Sequence, residues 1–135
     1  MPRWSRIGPT PTRTPTMRVL FVEDNPDVRE LIGVLLEEEG LSVVACATAE
    51  AAEIEFANGA FDVLMTDVSL PTMRGTELAR RLQLHRPDLW VVFCSGYSMH
   101  EGLKSWGPKA RSLMKPFEAD ELHALMEEIR AGTGN

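Results

Sequence analysis

No stretch of the 135-residue chain approaches the ~18 consecutive apolar residues that a membrane-spanning helix needs. Nor does an apolar centre interrupt Met1–Thr16, so no secretory signal is expected there; the expected setting is cytoplasmic, with no membrane partner. Cysteine is scarce: Cys46 and Cys94 both fall in segments that read as buried strands, where a free thiol behaves as a small hydrophobe. Basic charge is scarce too, with 14 Lys and Arg against 20 Asp and Glu and a net charge of −6. That balance argues against a nucleic-acid partner. What remains, 44% hydrophobic and 25% charged, is the composition of a globular protein with room for one domain and a complete core.

The first sixteen residues stand apart. They carry Arg3, Arg6 and Arg13 with no acid, four prolines and four threonines, and no periodicity, which reads as a disordered leader or start-site extension over 1–16. From Met17 strand-like and helical segments alternate. Arg18–Val22 is apolar on both faces, as a central parallel strand should be. Asn25-Pro26-Asp27 opens a helix, with Asn25 as cap and Pro26 at the first helical position. Val28, Leu31, Ile32 and Leu35 form its expected buried stripe, and Gly40 ends it.

Leu41–Ala47 reads as a second strand, and Thr48 caps a helix through Phe56. Phe61–Thr66 is the third strand, followed by the loop Val68–Gly75 and a helix from Thr76 to about His85. Leu89–Cys94, Arg111–Met114 and a helix over Glu118–Arg130 complete the pattern. Between the fourth and fifth strands Gly102 and Gly107-Pro108 leave room for only one or two helical turns. Five βα units with short connections specify an α/β doubly wound parallel sheet with helices on both faces. The domain is expected over 17–131, with a frayed tail at 132–135.

Four of these strands deliver a polar group at their carboxyl ends: Glu23-Asp24, Asp67, Ser95 and Lys115. In an open parallel sheet those ends border one crevice, where ligands bind. Mg²⁺ takes oxygen ligands, only one or two of them protein carboxylates, and keeps several waters. Asp24 and Asp67 can supply the carboxylates, a backbone carbonyl from the loop a third ligand, and Glu23 would act through a bound water. Asp67 as nucleophile would form an acyl phosphate, with the metal and Lys115 neutralising the transferring group and Ser95 donating to a phosphoryl oxygen. Each residue alone is an ordinary cap or turn residue; their convergence at four strand ends is what points to phosphoryl chemistry.

The segments "VLFVEDN", "DVLMTDVSLPTMRGTEL", "VVFCSGYS" and "LMKPF" resemble, in order and spacing, the receiver domain of two-component response regulators, from Met17 to about Arg130. The resemblance implies a flavodoxin-like (βα)5 fold with strand order 2-1-3-4-5. On that order Cys46 and Cys94 stand three strands apart, roughly 14 Å at ~4.8 Å per strand, beyond the about 7 Å a disulfide allows. It implies that Asp67 is the phospho-acceptor, that Glu23 and Asp24 hold Mg²⁺, and that Ser69 lends its backbone carbonyl. Ser95 would be the switch hydroxyl and Lys115 the phosphoryl charge partner. The Lys115-Pro116 bond resembles one usually cis in this family. The implied partner is a sensor histidine kinase or histidine phosphotransfer protein; the chain would be no enzyme beyond self-phosphorylation and autodephosphorylation.

Two departures bear on signal output. Many receivers carry an aromatic residue three positions before the lysine; here that position is Ser112. Tyr97, in "SGYS", is the candidate switch aromatic instead, a pattern that resembles receivers of hybrid kinases and stand-alone regulators. Two other readings compete. A degenerate receiver serving only as a binding module would lack an acid or the lysine, and none is missing. A haloacid-dehalogenase-type phosphatase resembles this site but carries a second Asp two residues after its nucleophile, where this chain has Ser69, leaving no general acid. His85, His100 and His123 read as surface residues, not phosphodonors.

Overall fold

A computed structural model describes residues 16–133; the expected leader therefore lies, but for Thr16, outside the described residues. Five strands, β1 (Arg18–Val22), β2 (Ser42–Cys46), β3 (Val63–Asp67), β4 (Trp90–Ser95) and β5 (Ala110–Met114), alternate with α1 (Pro26–Glu38), α2 (Ala49–Ala57), α3 (Gly75–His85), α4 (His100–Lys104) and α5 (Ala119–Thr133). All pairings are parallel, and the sheet runs β2-β1-β3-β4-β5. This is the doubly wound parallel sheet that the alternating pattern implied, in the flavodoxin-like strand order that the resemblance implied.

The central strands are buried on both faces because alternate side chains enter opposite layers. Val19 and Phe21 join Met65, Val92, Leu36, Met126 and Ile129 on the α1/α5 side. Leu20 and Val22 join Leu64, Phe93, Leu78 and Leu82 on the α2/α3 side. Helix starts follow local chemistry. Asn25 Oδ1 accepts from the amides of Asp27 and Val28, Pro26 takes the first helical position, and Thr48 Oγ1 accepts from Ala51 N. Past the end of α1, Gly40 adopts φ +84°, a left-handed turn that glycine enters without steric penalty.

Two sequence expectations need correction. The buried stripe of α1 is Ile32 and Leu36, with Val28 and Leu35 half-buried against the same core; Leu31 is 61% exposed. Leu31 is displaced about 100° around the helix from Ile32, past the edge of the surface that the sheet covers. Helix α5 continues beyond Arg130 to Thr133. Thr133 Oγ1 bonds Arg130 O at 3.3 Å and lies 3.6 Å from Met17 Sδ, while Gly132 admits Trp90 so closely that a Cβ would stand 2.7 Å from its ring.

Helix α4 has the short form expected, five residues with no side-chain cap at Met99. Met99, Leu103 and Trp106 anchor it to the α2/α3 layer. Trp106 lies edge-on to Phe93 with ring centroids 4.9 Å apart, and the Arg80 guanidinium sits 4.1 Å above the Trp106 ring.

Candidate functional site

The parallel register sets the polar residues side by side. Val22 is level with Thr66, Asp67 with Cys94, and Ser95 with Met114, so Glu23, Asp67, Ser95 and Lys115 emerge at the carboxyl ends of four adjacent strands. Lys115 N donates to Ser95 O at 2.7 Å, and the Lys115-Pro116 peptide is cis. The Lys115 ammonium bridges two carboxylates, donating to Asp67 Oδ1 at 3.0 Å and Glu23 Oε1 at 3.1 Å. Glu23 is 2% exposed and Asp67 8%, whereas Asp24 is exposed at the mouth. One oxygen from each of Glu23, Asp24 and Asp67 lies within 4.8 Å of the others.

The donor set fits a small hard cation. Octahedral oxygens at 2.0–2.1 Å from Mg²⁺ stand about 3 Å apart when adjacent and about 4 Å when opposite, separations that fall within the 4.8 Å over which these three oxygens gather. Both Glu23 oxygens are engaged, Oε1 by Lys115 and Oε2 by the amide of Asn25 at 3.1 Å. Asp24 and Asp67 therefore keep carboxylate oxygens open to a cation, whereas both oxygens of Glu23 are taken.

Charge and burial shape Asp67. Burial raises the Asp67 pKa to about 6; the Lys115 hydrogen bond opposes that rise and the Glu23 charge adds to it. Burial works against the Lys115 ammonium, but hydrogen bonds and attraction from Asp67 and Glu23 outweigh it and hold its pKa above the usual lysine value. The neighbouring Cys94 thiol is pushed up to about 12, first by burial and then by Asp67. With thiolate suppressed, it is a packing residue, not a nucleophile. Cys46 and Cys94 are both free.

The loop after Asp67 is tied down at its start and end. Val68 N donates to Cys94 O at 3.0 Å and Gly75 N to Val68 O at 2.8 Å; Thr66 Oγ1 donates to Asp67 O at 2.9 Å. A Cβ on Gly75 would stand 1.9 Å from the Asp67 carbonyl oxygen, so only glycine lets α3 start this close to Asp67. Ser69 is exposed, two residues beyond Asp67. The Ser95 hydroxyl, by contrast, is turned away onto its own loop: it donates to the Tyr97 carbonyl oxygen, and Tyr97 N approaches it at 3.4 Å. The Tyr97 residue is 54% exposed, and Ser112 is exposed on the edge strand. His85 and His123 lie at the surface; the side chain of His100 lies outside the described residues.

Sequence reading missed three supports: the Asn25 amide on Glu23, the contact of Gly75 with Asp67, and Arg29, whose Nη1 donates to Glu23 O at 2.8 Å. Gly75 could have been noticed as the glycine that opens α3. Arg29 carried no such signal, because an exposed-looking arginine in a helix's first turn is commonplace.

The family pattern of the response regulator receiver domain matches residues 19–127. The chain is 34% identical over 114 residues to the response regulator receiver protein CpdR of Brucella abortus, an alignment covering 83% of this chain and 95% of that protein. It is 35% identical over 116 residues to the sensor kinase CckA of the same organism, covering 82% of this chain but only 12% of the kinase. Among solved structures, the receiver domain of the hybrid histidine kinase CckA superimposes with a TM-score of 0.71 at 28% identity, over 83% of this chain and 97% of that one. The response regulator TrrA of Thermotoga maritima, solved with Mg²⁺ and BeF, gives 0.75 at 29% identity over 84% and 99%.

Proposed function

The chain belongs to the response regulator receiver domain family, and from that premise we propose that Asp67 accepts a phosphoryl group from a phosphohistidine on a sensor histidine kinase or histidine phosphotransfer protein. The receiver module is assigned to 17–131. One observation carries the reading: Lys115 bridges Asp67 and Glu23 at 3.0 and 3.1 Å, with Asp24 beside them, where four strand ends meet.

The Asp67 carboxylate, ionised at pH 7 on its pKa of about 6, attacks phosphorus in line. A new O–P bond forms, the N–P bond of the phosphohistidine breaks, and its electron pair returns to the imidazole nitrogen, which takes up a proton from water. Asp24, Asp67 and the Ser69 carbonyl would hold Mg²⁺, which when bound would neutralise charge on the phosphoryl oxygens. Lys115, which donates to Asp67 Oδ1 at 3.0 Å, brings the chain's own positive charge to the phosphoryl group. Ser95 contributes the switch: when its hydroxyl turns to a phosphoryl oxygen, the bond to the Tyr97 carbonyl is lost and the Tyr97 turn is released.

Incubation with acetyl phosphate and Mg²⁺, followed by intact mass measurement, tests the acceptor. The unaltered chain is expected to gain one phosphoryl group, and Asp67→Ala none. A gain in both would move the acceptor elsewhere. No gain in either, repeated with a phosphorylated histidine phosphotransfer protein, would leave the chain as a binding module.

A further inference from the structure

We propose that Arg29 is a positioning residue for the acidic pair, fixing the Glu23–Asp24 peptide so that Asp24 is aimed at the crevice; this rests on the metal-binding reading above. Between the end of β1 at Val22 and the start of α1 at Pro26 the chain has three residues in which to turn. The turn must hold two carboxylates against a third. Unrestrained, like charges this close would swing outward into water, where their repulsion is screened.

Four hydrogen bonds oppose that. Glu23 N donates to Cys46 O at 3.0 Å, Lys115 and the Asn25 amide hold the two Glu23 carboxylate oxygens, and Arg29 Nη1 donates to the Glu23 carbonyl at 2.8 Å. The first two orient Glu23 alone, and the third also ties the far side of Asp24, the Asp24–Asn25 peptide, to the Glu23 side chain. The fourth reaches Asp24, because a peptide is planar: fixing the Glu23 carbonyl fixes the Asp24 amide and the direction in which its Cα leaves. No ion pair among the described residues holds the Asp24 carboxylate, so its aim is inherited from the two peptides that flank it, the preceding one held by Arg29. Arg29 is itself anchored by its own amide, which donates to Asn25 O at 2.9 Å in the first turn of α1. A guanidinium suits the task because its donors sit on a rigid fork, whereas a lysine ammonium is a point charge on a flexible stem.

The test is Mg²⁺ titration of the full chain by NMR, with 15N relaxation recorded without metal, for the unaltered protein, Arg29→Met and Arg29→Lys. Arg29→Met is expected to weaken Mg²⁺ binding about tenfold, the lower range for losing a group that orients a metal ligand, and to lower the backbone order parameter of Asp24 in the metal-free protein. Arg29→Lys, which keeps the charge and one donor, is expected to recover part of both. Unchanged affinity and unchanged Asp24 order in Arg29→Met would overturn the proposal. So would a lowered melting temperature with unaltered Mg²⁺ affinity, the result of a merely structural role. If the unaltered protein fails to bind Mg²⁺, the metal reading falls; a change in Asp24 order on substitution would still establish the positioning bond.

Discussion

Two opposing effects meet at Asp67: burial beside Glu23 penalises its charge, and Lys115 rewards it. Burial wins, since the folded pKa of about 6 lies above the usual 3.8. Between those values the folded state holds its proton more tightly than the unfolded chain. The contribution of this group to stability therefore falls as pH rises from about 4 to 6, and its full penalty is present above 6. Asp67→Asn is expected to raise the metal-free stability by about 1 kcal/mol at pH 7.5, a figure reduced because Lys115 loses a partner, with the gain vanishing near pH 4. Urea unfolding in EDTA at the two pH values checks this; a loss of stability at pH 7.5 would mean the Lys115 pair outweighs burial. The cluster of Asp67, the two acids and the lysine was legible in the sequence because each polar group follows an apolar run. The Ser95 hydroxyl was legible as a group but not in its orientation, since its bond to the Tyr97 carbonyl depends on how the turn folds back.

Among the elements, α1 shows how far periodicity reaches. Its apolar residues Val28, Leu31, Ile32 and Leu35 recur at helical spacing, yet Leu31 is exposed and Leu36 is fully buried. A stripe has two edges, and the edge that is covered depends on how the helix lies on the sheet and on its neighbour α5. Leu36→Ala is expected to cost about 2–5 kcal/mol through loss of burial and the cavity left. Leu31→Ala, at an exposed site, should stay within about 0.5 kcal/mol. Chemical denaturation of both variants distinguishes the two assignments. Helix α4 illustrates the converse: Gly102 and Gly107-Pro108 foretold a short element, and the structure shows five residues. What the sequence could not reveal is that Trp106 holds it down, edge-on to Phe93 and beneath Arg80.

For the whole molecule, the order β2-β1-β3-β4-β5 puts Asp67 at the centre of the sheet, between the acids that follow β1 and the hydroxyl that ends β4. A phosphoryl group there can reach the Ser95–Pro108 segment in one step, through Ser95. With Ser112 on the edge strand and no aromatic side chain at that position, we expect the signal to leave through this segment, with Tyr97 as the mobile ring. Amide exchange with and without beryllofluoride should show protection changing across residues 95–108. Unchanged protection there would remove this route.

The sequence by itself determined the fold class and the chemical inventory of the site. Alternating periodicity fixes a βα repeat, and parallel strands bring their carboxyl ends to one side, so residues ending different strands must converge. Only the tertiary structure decided how those residues are held: Glu23 shared between Lys115 and Asn25, the peptide after it bonded by Arg29, and Gly75 against the acceptor. These contacts join residues whose approach is set by packing distance and hydrogen-bond angle. Spacing along the chain carries no record of either.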